Sequence, residues 1–94
     1  MLFVIHAMDK PDAMALRMKV RPDHLAYMKT QKAVVMGGPM LSDDGKTLLG
    51  SMLLVEAPDR AAVETLSQND PYAKAGLFES VVIRAFKKVL PLSE

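Results

Sequence analysis

Ninety-four residues, half of them apolar, make one domain of 1–94 near the lower size limit for a single core, and exclude a disordered chain. Twelve basic against eleven acidic side chains, with no block of like charge, exclude a dedicated nucleic-acid surface or an anionic-membrane binder, since each needs a basic stripe. Zero cysteines exclude a disulfide framework, a thiolate nucleophile and a thiolate metal site, and no apolar run approaches a bilayer span, so a cytoplasmic protein is expected.

Leu2 to Met8 reads as a first strand, closed by the turn cluster Asp9-Lys10-Pro11-Asp12. Asp12 is placed to cap a short helix beginning at Ala13, because its carboxylate can accept an orphan backbone N–H. Pro22 interrupts that pattern and suits a first helical position, which predicts a second helical segment from Pro22 to about Lys32. Ala33 to Met40 is an apolar strand whose Gly37-Gly38-Pro39 reads as a bulge or strand end rather than a phosphate loop. Ser42 to Lys46 is a turn, and Thr47 to Glu56 returns as the second arm of a hairpin. Asp59 caps a helix running to Gln68 with Ala62, Val63 and Leu66 inward. Asp70-Pro71 starts another short helical turn ended by Gly76, and Leu77 to Val89 is the last strand.

The order β-α-β-β-α-β specifies an α+β, ferredoxin-like domain: an antiparallel sheet with its helices on one face. Both parities of the strands are nevertheless apolar. Phe3 and Ile5 oppose Leu2, Val4 and Met8; Leu49, Leu53 and Val55 oppose Leu48, Met52 and Leu54. Helices on one face leave the other as an apolar patch larger than a soluble monomer usually carries. A second copy of the sheet is the simplest cover, so the expected partner is the chain itself, as a homodimer, with higher assembly left open.

Two segments carry the candidate chemistry. His24, two residues after Pro22, falls in the first turn of the predicted second helix, where the positive end of the dipole disfavours imidazolium and suits a general base. An exposed or core-edge histidine is the plain structural alternative. Asp70 before Pro71 looks like an N-cap, and capping alone explains it. A carboxylate has lone pairs enough to cap a helix and also accept from a histidine N–H, however, and such a bond would fix the ring's orientation and tautomer. Tyr72, Arg17, Arg21 and His6 are candidate substrate-binding residues: a phenol close to Asp70, two cations for an anionic group, and a strand histidine able to line a pocket. Two histidines without a ligand spacing predict no metal, and no cofactor motif is present.

Met1-Leu2-Phe3-Val4-Ile5, Arg21-Pro22-Asp23-His24-Leu25, Gly38-Pro39, Asp70-Pro71-Tyr72 with Ala75-Gly76-Leu77, and Phe86-Lys87-Lys88-Val89 together resemble the YCII-related (YciI-like) family over essentially the whole chain. The resemblance implies a dimeric α/β-barrel type of ferredoxin-like fold, with a site centred on a histidine and an aspartate, which fall here on His24 and Asp70. One branch resembling the family removes chloride from a chlorinated hydroxyhydroquinone, and the wider group includes muconolactone isomerases and heme-handling proteins.

These readings lead to a small-molecule enzyme of lyase or isomerase type, in which neutral His24 moves a proton on an oxygen-rich ring and Asp70 holds the other ring nitrogen. The competing class is a non-catalytic metabolite-binding or accessory protein, and a bare dimerisation module is a third. A cavity shared by His24 and Asp70 separates the first two from the last.

Overall fold

Alternating inward positions set the sheet. The computed structural model describes residues 1–92, with the order β1 (Leu2–Asp9), α1 (Met14–Thr30), β2 (Val34–Leu41), β3 (Leu48–Glu56), α2 (Arg60–Gln68), α3 (Pro71–Lys74) and β4 (Phe78–Phe86). The four strands pair antiparallel in the order β2-β3-β1-β4, the ferredoxin-like arrangement. Phe3 lies across from Val55 and Ala85, and Ile5 across from Leu53 and Ile83, so one parity of every central strand faces the helices. Val63 and Leu66 of α2 close over Phe3, Ile5, Leu53, Val55 and Ile83. Each such burial contributes about 1.5–3 kcal/mol.

α2 and α3 begin as the sequence indicates. Asp59 accepts from the Ala62 N–H and Asp70 from the Tyr72 N–H, with Pro71 at the first helical position. α1 departs from expectation. It is one continuous helix with Pro22 inside it, not two segments divided there. Proline removes one helical hydrogen bond and costs about 3 kcal/mol in a helix interior. Pro22 and Met18, four residues earlier, are both exposed, so the carbonyl deprived of its donor lies on the solvent side. The opposite side buries Arg17 and His24, and that packing favours an unbroken helix. Asp12 does not cap α1 either. Its φ of 55° puts it in the left-handed region, and Ala13 occupies the cap position without a side-chain bond.

Two strand details also differ. Gly37-Gly38-Pro39 lies within β2 instead of ending it; β2 is an edge strand, where a missing N–H is tolerated. β4 stops at Phe86, which pairs with Leu2 at the start of β1, rather than at Val89.

The helix-free face carries Leu2, Val4, Met8, Met52, Leu54, Val82 and Phe86, with His6 and Arg84 among them. Val82 is 38% and Phe86 44% exposed. Among the described residues, no helix is long and apolar enough to cross a membrane.

Candidate active site

Continuity of α1 decides the geometry of the site. Arg17, Arg21, His24 and Met28 recur at helical spacing on one face, and all four line the same cavity. Had the helix broken at Pro22, Arg17 and His24 would share no face.

Arg17 is 3% exposed and is held by three bonds. Its Nε and one terminal nitrogen donate to the two carboxylate oxygens of Asp9, at 2.7 and 3.0 Å, and the same terminal nitrogen donates to Ser51 Oγ at 2.8 Å. Burial works to lower the Arg17 pKa, but the bond to Asp9, the charge of Asp9 and the neighbouring Tyr72 outweigh it, and the net shift is upward. The Arg17–Asp9 unit is therefore a buried, internally neutralised pair.

One turn before β4, three consecutive residues build the second half. The carboxylate of Asp70, 4% exposed, accepts from the Tyr72 N–H at 2.9 Å through Oδ1, and the same oxygen lies 2.8 Å from His24 Nδ1. An ionised carboxylate only accepts, so in the neutral ring the proton in that contact sits on Nδ1 and the lone pair on Nε2. The cap and the histidine contact, competing explanations of Asp70 in the sequence, coexist on one atom. Nε2 has no partner among the described residues, yet no buried side-chain nitrogen or oxygen there is left unpartnered. Nε2 therefore opens on the cavity that His24 lines.

Tyr72 joins the two halves. Its ring stacks on the His24 imidazole with centroids 4.0 Å apart and planes 17° from parallel, and the Arg17 guanidinium carbon lies 4.6 Å from the same ring centre. Arg17 and His24 are separated by two helical turns, about 10.5 Å of rise, a spacing that suits an aromatic ring held between them. Phe78 meets the Tyr72 ring edge-on at 6.0 Å. Burial pushes the Tyr72 phenol up from its usual value; the charges of Arg17 and Arg21 pull it down, and Asp70 adds to the rise. The net direction is upward, so the phenol keeps its proton at neutral pH. Tyr27, which donates to the Leu66 carbonyl from the far side of α1, is raised as well, by burial and then by the charge of Asp70.

The cavity bounded by these groups has a volume of about 180 Å³, and its far wall is Gly37-Gly38-Pro39 of β2 with Leu48, Ser51 and Leu53 of β3. A larger open groove lies between α1 and α2, lined by Val20, Tyr27, Val55 and Leu66, but neither His24 nor Arg17 reaches it. Of the six residues expected to form the site, the structure brings together His24, Asp70, Tyr72 and Arg17 and places Arg21 at the same cavity. His6 does not join them. It points from the helix-free face, where it shares a shallow depression with Val4, Val82, Arg84 and Phe86. Its parity with Leu2 and Val4 was legible; which parity the helices cover was not. Asp9 and Ser51, the partners of Arg17, gave no signal, since one reads as a turn residue and the other as a polar interruption of a strand. Among the described residues, no three His, Asp or Glu side chains converge as metal ligands would.

Comparison with known proteins agrees with this frame. The chain is 35% identical over 97 residues to the protein YciI of Escherichia coli O6:H1 (strain CFT073), covering 95% of this chain and 99% of that one. An uncharacterised protein of Haemophilus influenzae is 31% identical over the same shares. Among solved structures, the 5-chloro-2-hydroxyhydroquinone dehydrochlorinase TftG of Burkholderia phenoliruptrix AC1100, in complex with 2,5-dihydroxybenzoquinone, superposes with a TM-score of 0.84 at 37% identity, covering 93% of this chain and 94% of that one. The YCII-related domain matches residues 1–87, and the chain belongs to that family.

Proposed function

We propose that the chain is a small-molecule lyase in which His24 removes a proton from a hydroxylated six-membered ring while a leaving group departs with its bonding electrons. The observation that carries this reading is the Nε2 of an otherwise buried His24, free of protein partners and facing a cavity of about 180 Å³ while Nδ1 is tied to Asp70. Benzene fills an apolar cavity of about 150 Å³, so the volume suits one substituted ring and little more. The likeness to TftG supports a dehydrochlorinase-like reaction in particular.

The step balances simply. One ring hydroxyl gives up its proton and the neighbouring halogen-bearing carbon takes one, which makes a carbonyl and an sp3 C–H carbon that still holds the halogen. A second hydroxyl then gives its proton to Nε2 and its oxygen lone pair forms the second carbonyl. The ring double bond shifts toward the sp3 carbon, and halide leaves with the carbon–halogen pair. The net product is the quinonoid ring plus one proton and one halide. Imidazolium forms against the Asp70 carboxylate, which stabilises the charge as it develops and holds the ring in place. Tyr72 keeps the imidazole plane fixed by stacking, and its neutral phenol, beside Arg17, borders the same cavity.

Chloride release from 5-chloro-2-hydroxyhydroquinone, measured with wild type, His24→Ala and Asp70→Asn, tests the reading. Catalysed release that both substitutions abolish is the expected result. Release undiminished in His24→Ala refutes the base. No release, combined with a concentration-dependent rise in melting temperature with hydroxylated rings, moves the protein to the metabolite-binding class.

A further inference from the structure

The cavity is unevenly charged. Arg17, Arg21, His24 and Tyr72 line it, and no carboxylate does; Asp9 and Asp70 reach Arg17 and His24 from behind the lining. Arg17 does not bring an unmet charge to a ligand. Its charge is met by a bidentate contact with Asp9, itself buried, and the terminal nitrogen in that contact also donates to Ser51. Asp70 is similarly engaged, its Oδ1 held by two N–H donors. Arg21 differs from both. It is exposed, borders the cavity from the same helical face, and has neither an ion-pair nor a hydrogen-bond partner among the described residues. Asp23, close to it in sequence, faces the groove between α1 and α2 instead.

We propose that this site takes its ligand as an anion, and that Arg21 is the residue that selects for it. The ligand class follows from two opposed demands on one small ring. Arg21 offers an unmet positive charge and a fork of N–H donors, which calls for an ionised oxygen. Nε2 of His24 offers only a lone pair, which calls for a second, still protonated group. A single ring bearing one ionised and one protonated oxygen, such as the mono-anion of an acidic dihydroxyarene, satisfies both. A neutral ring leaves Arg21 without a partner, and a ring with no remaining acidic proton leaves His24 without one. This inference rests on the cavity being the ligand site and needs no turnover.

Equilibrium binding separates it from the catalytic reading. The probes are 4-nitrocatechol at mildly alkaline pH, where one of its two hydroxyls is ionised, and catechol at the same pH, where neither is. Wild type should bind the ionised probe more tightly, with affinity that falls as salt is added. Arg21→Met should weaken 4-nitrocatechol by about tenfold or more, flatten its salt dependence and leave catechol nearly unchanged. Arg21→Lys should recover part of the loss, because it restores the charge without the fork. Arg21 is exposed, and a melting temperature close to wild type confirms that each variant is folded. His24→Ala should keep the preference for the anion, so a failure of proton transfer and a failure of anion selection read out differently. Equal binding of both probes by wild type, an equal loss of both in Arg21→Met, or no binding of either overturns the proposal.

Discussion

Asp70 is the residue whose replacement distinguishes most sharply between a helix cap and a catalytic pair. One oxygen accepts from the Tyr72 N–H at 2.9 Å and from His24 Nδ1 at 2.8 Å, in a site where the side chain is almost fully buried. Asp70→Ala removes the cap, at about 1 kcal/mol, and strands the imidazole N–H in a buried position, at about 1–3 kcal/mol more. The expected total is about 3 kcal/mol, or roughly 12–24 °C in melting temperature for a domain of this size. Asp70→Asn keeps an oxygen acceptor in place and converts charge-assisted bonds to neutral ones, so it should cost only about 1 kcal/mol. Chemistry should respond in the opposite proportion. Asparagine can turn its NH₂ toward the ring and reverse the tautomer, which puts N–H instead of a lone pair into the cavity, and turnover should fall by on the order of 10²–10⁴. Urea denaturation gives the stabilities, and imidazole ¹⁵N shifts in wild type and Asp70→Asn give the tautomer directly. A loss of only about 1 kcal/mol for alanine, together with superimposable ring spectra in the asparagine variant, would refute the pair and leave Asp70 as a cap alone.

Arg17→Met strands the buried Asp9 carboxylate and should destabilise by about 3–5 kcal/mol in urea titrations, with Asp9→Leu in the same chain recovering much of it. Gly50→Ala drives its methyl into the Ala7 carbonyl oxygen, which the backbone must move to admit, whereas Gly37→Ala meets the flexible end of the Leu53 side chain. Gly50→Ala should therefore cost at least the upper end of the ~1–3 kcal/mol typical of overpacking, and Gly37→Ala less. Burial holds the Tyr72 and Tyr27 phenols above their ordinary values, so above about pH 10 the unfolded chain loses those protons first and stability should fall as pH rises, less steeply in Tyr72→Phe. We also propose that two copies pair through the helix-free face: sedimentation at micromolar concentration should give a dimer, and Val4→Glu or Leu54→Glu a monomer, while a wild-type monomer would defeat the idea.

The fold was legible because each element obeyed a local rule. Alternating apolar strands, Asp59 and Asp70 at helix starts, and Gly45 at a left-handed turn position all agree with the sheet and helices observed. Pro22 misled for a physical reason. Local propensity treats proline as a boundary, but tertiary burial of Arg17 and His24 outweighs the loss of one exposed hydrogen bond. The cost of that misreading was specific to the site. It placed His24 in a first turn, beside a helix dipole that it does not meet; the residue is well inside α1. The ring is instead oriented by a carboxylate from a distant segment and a stacked tyrosine.

Asp70-Pro71-Tyr72 was informative for more than its cap. Proline at the first helical position fixes the turn that lets the Asp70 side chain reach back to the Tyr72 N–H. The same turn sends the Tyr72 ring across α1, against His24 and under Arg17. A cap that is satisfied locally needs no histidine, and a histidine that packs as core needs no carboxylate. Here one buried oxygen serves both, and the second histidine nitrogen is left facing a cavity. Nε2 is not shut into the core: it is open to the cavity, where water or a ligand can take up its hydrogen bond. Packing that holds His24, Asp70 and Tyr72 rigid while reserving Nε2 for something outside the chain is what a binding or catalytic site requires, and stability alone does not account for it.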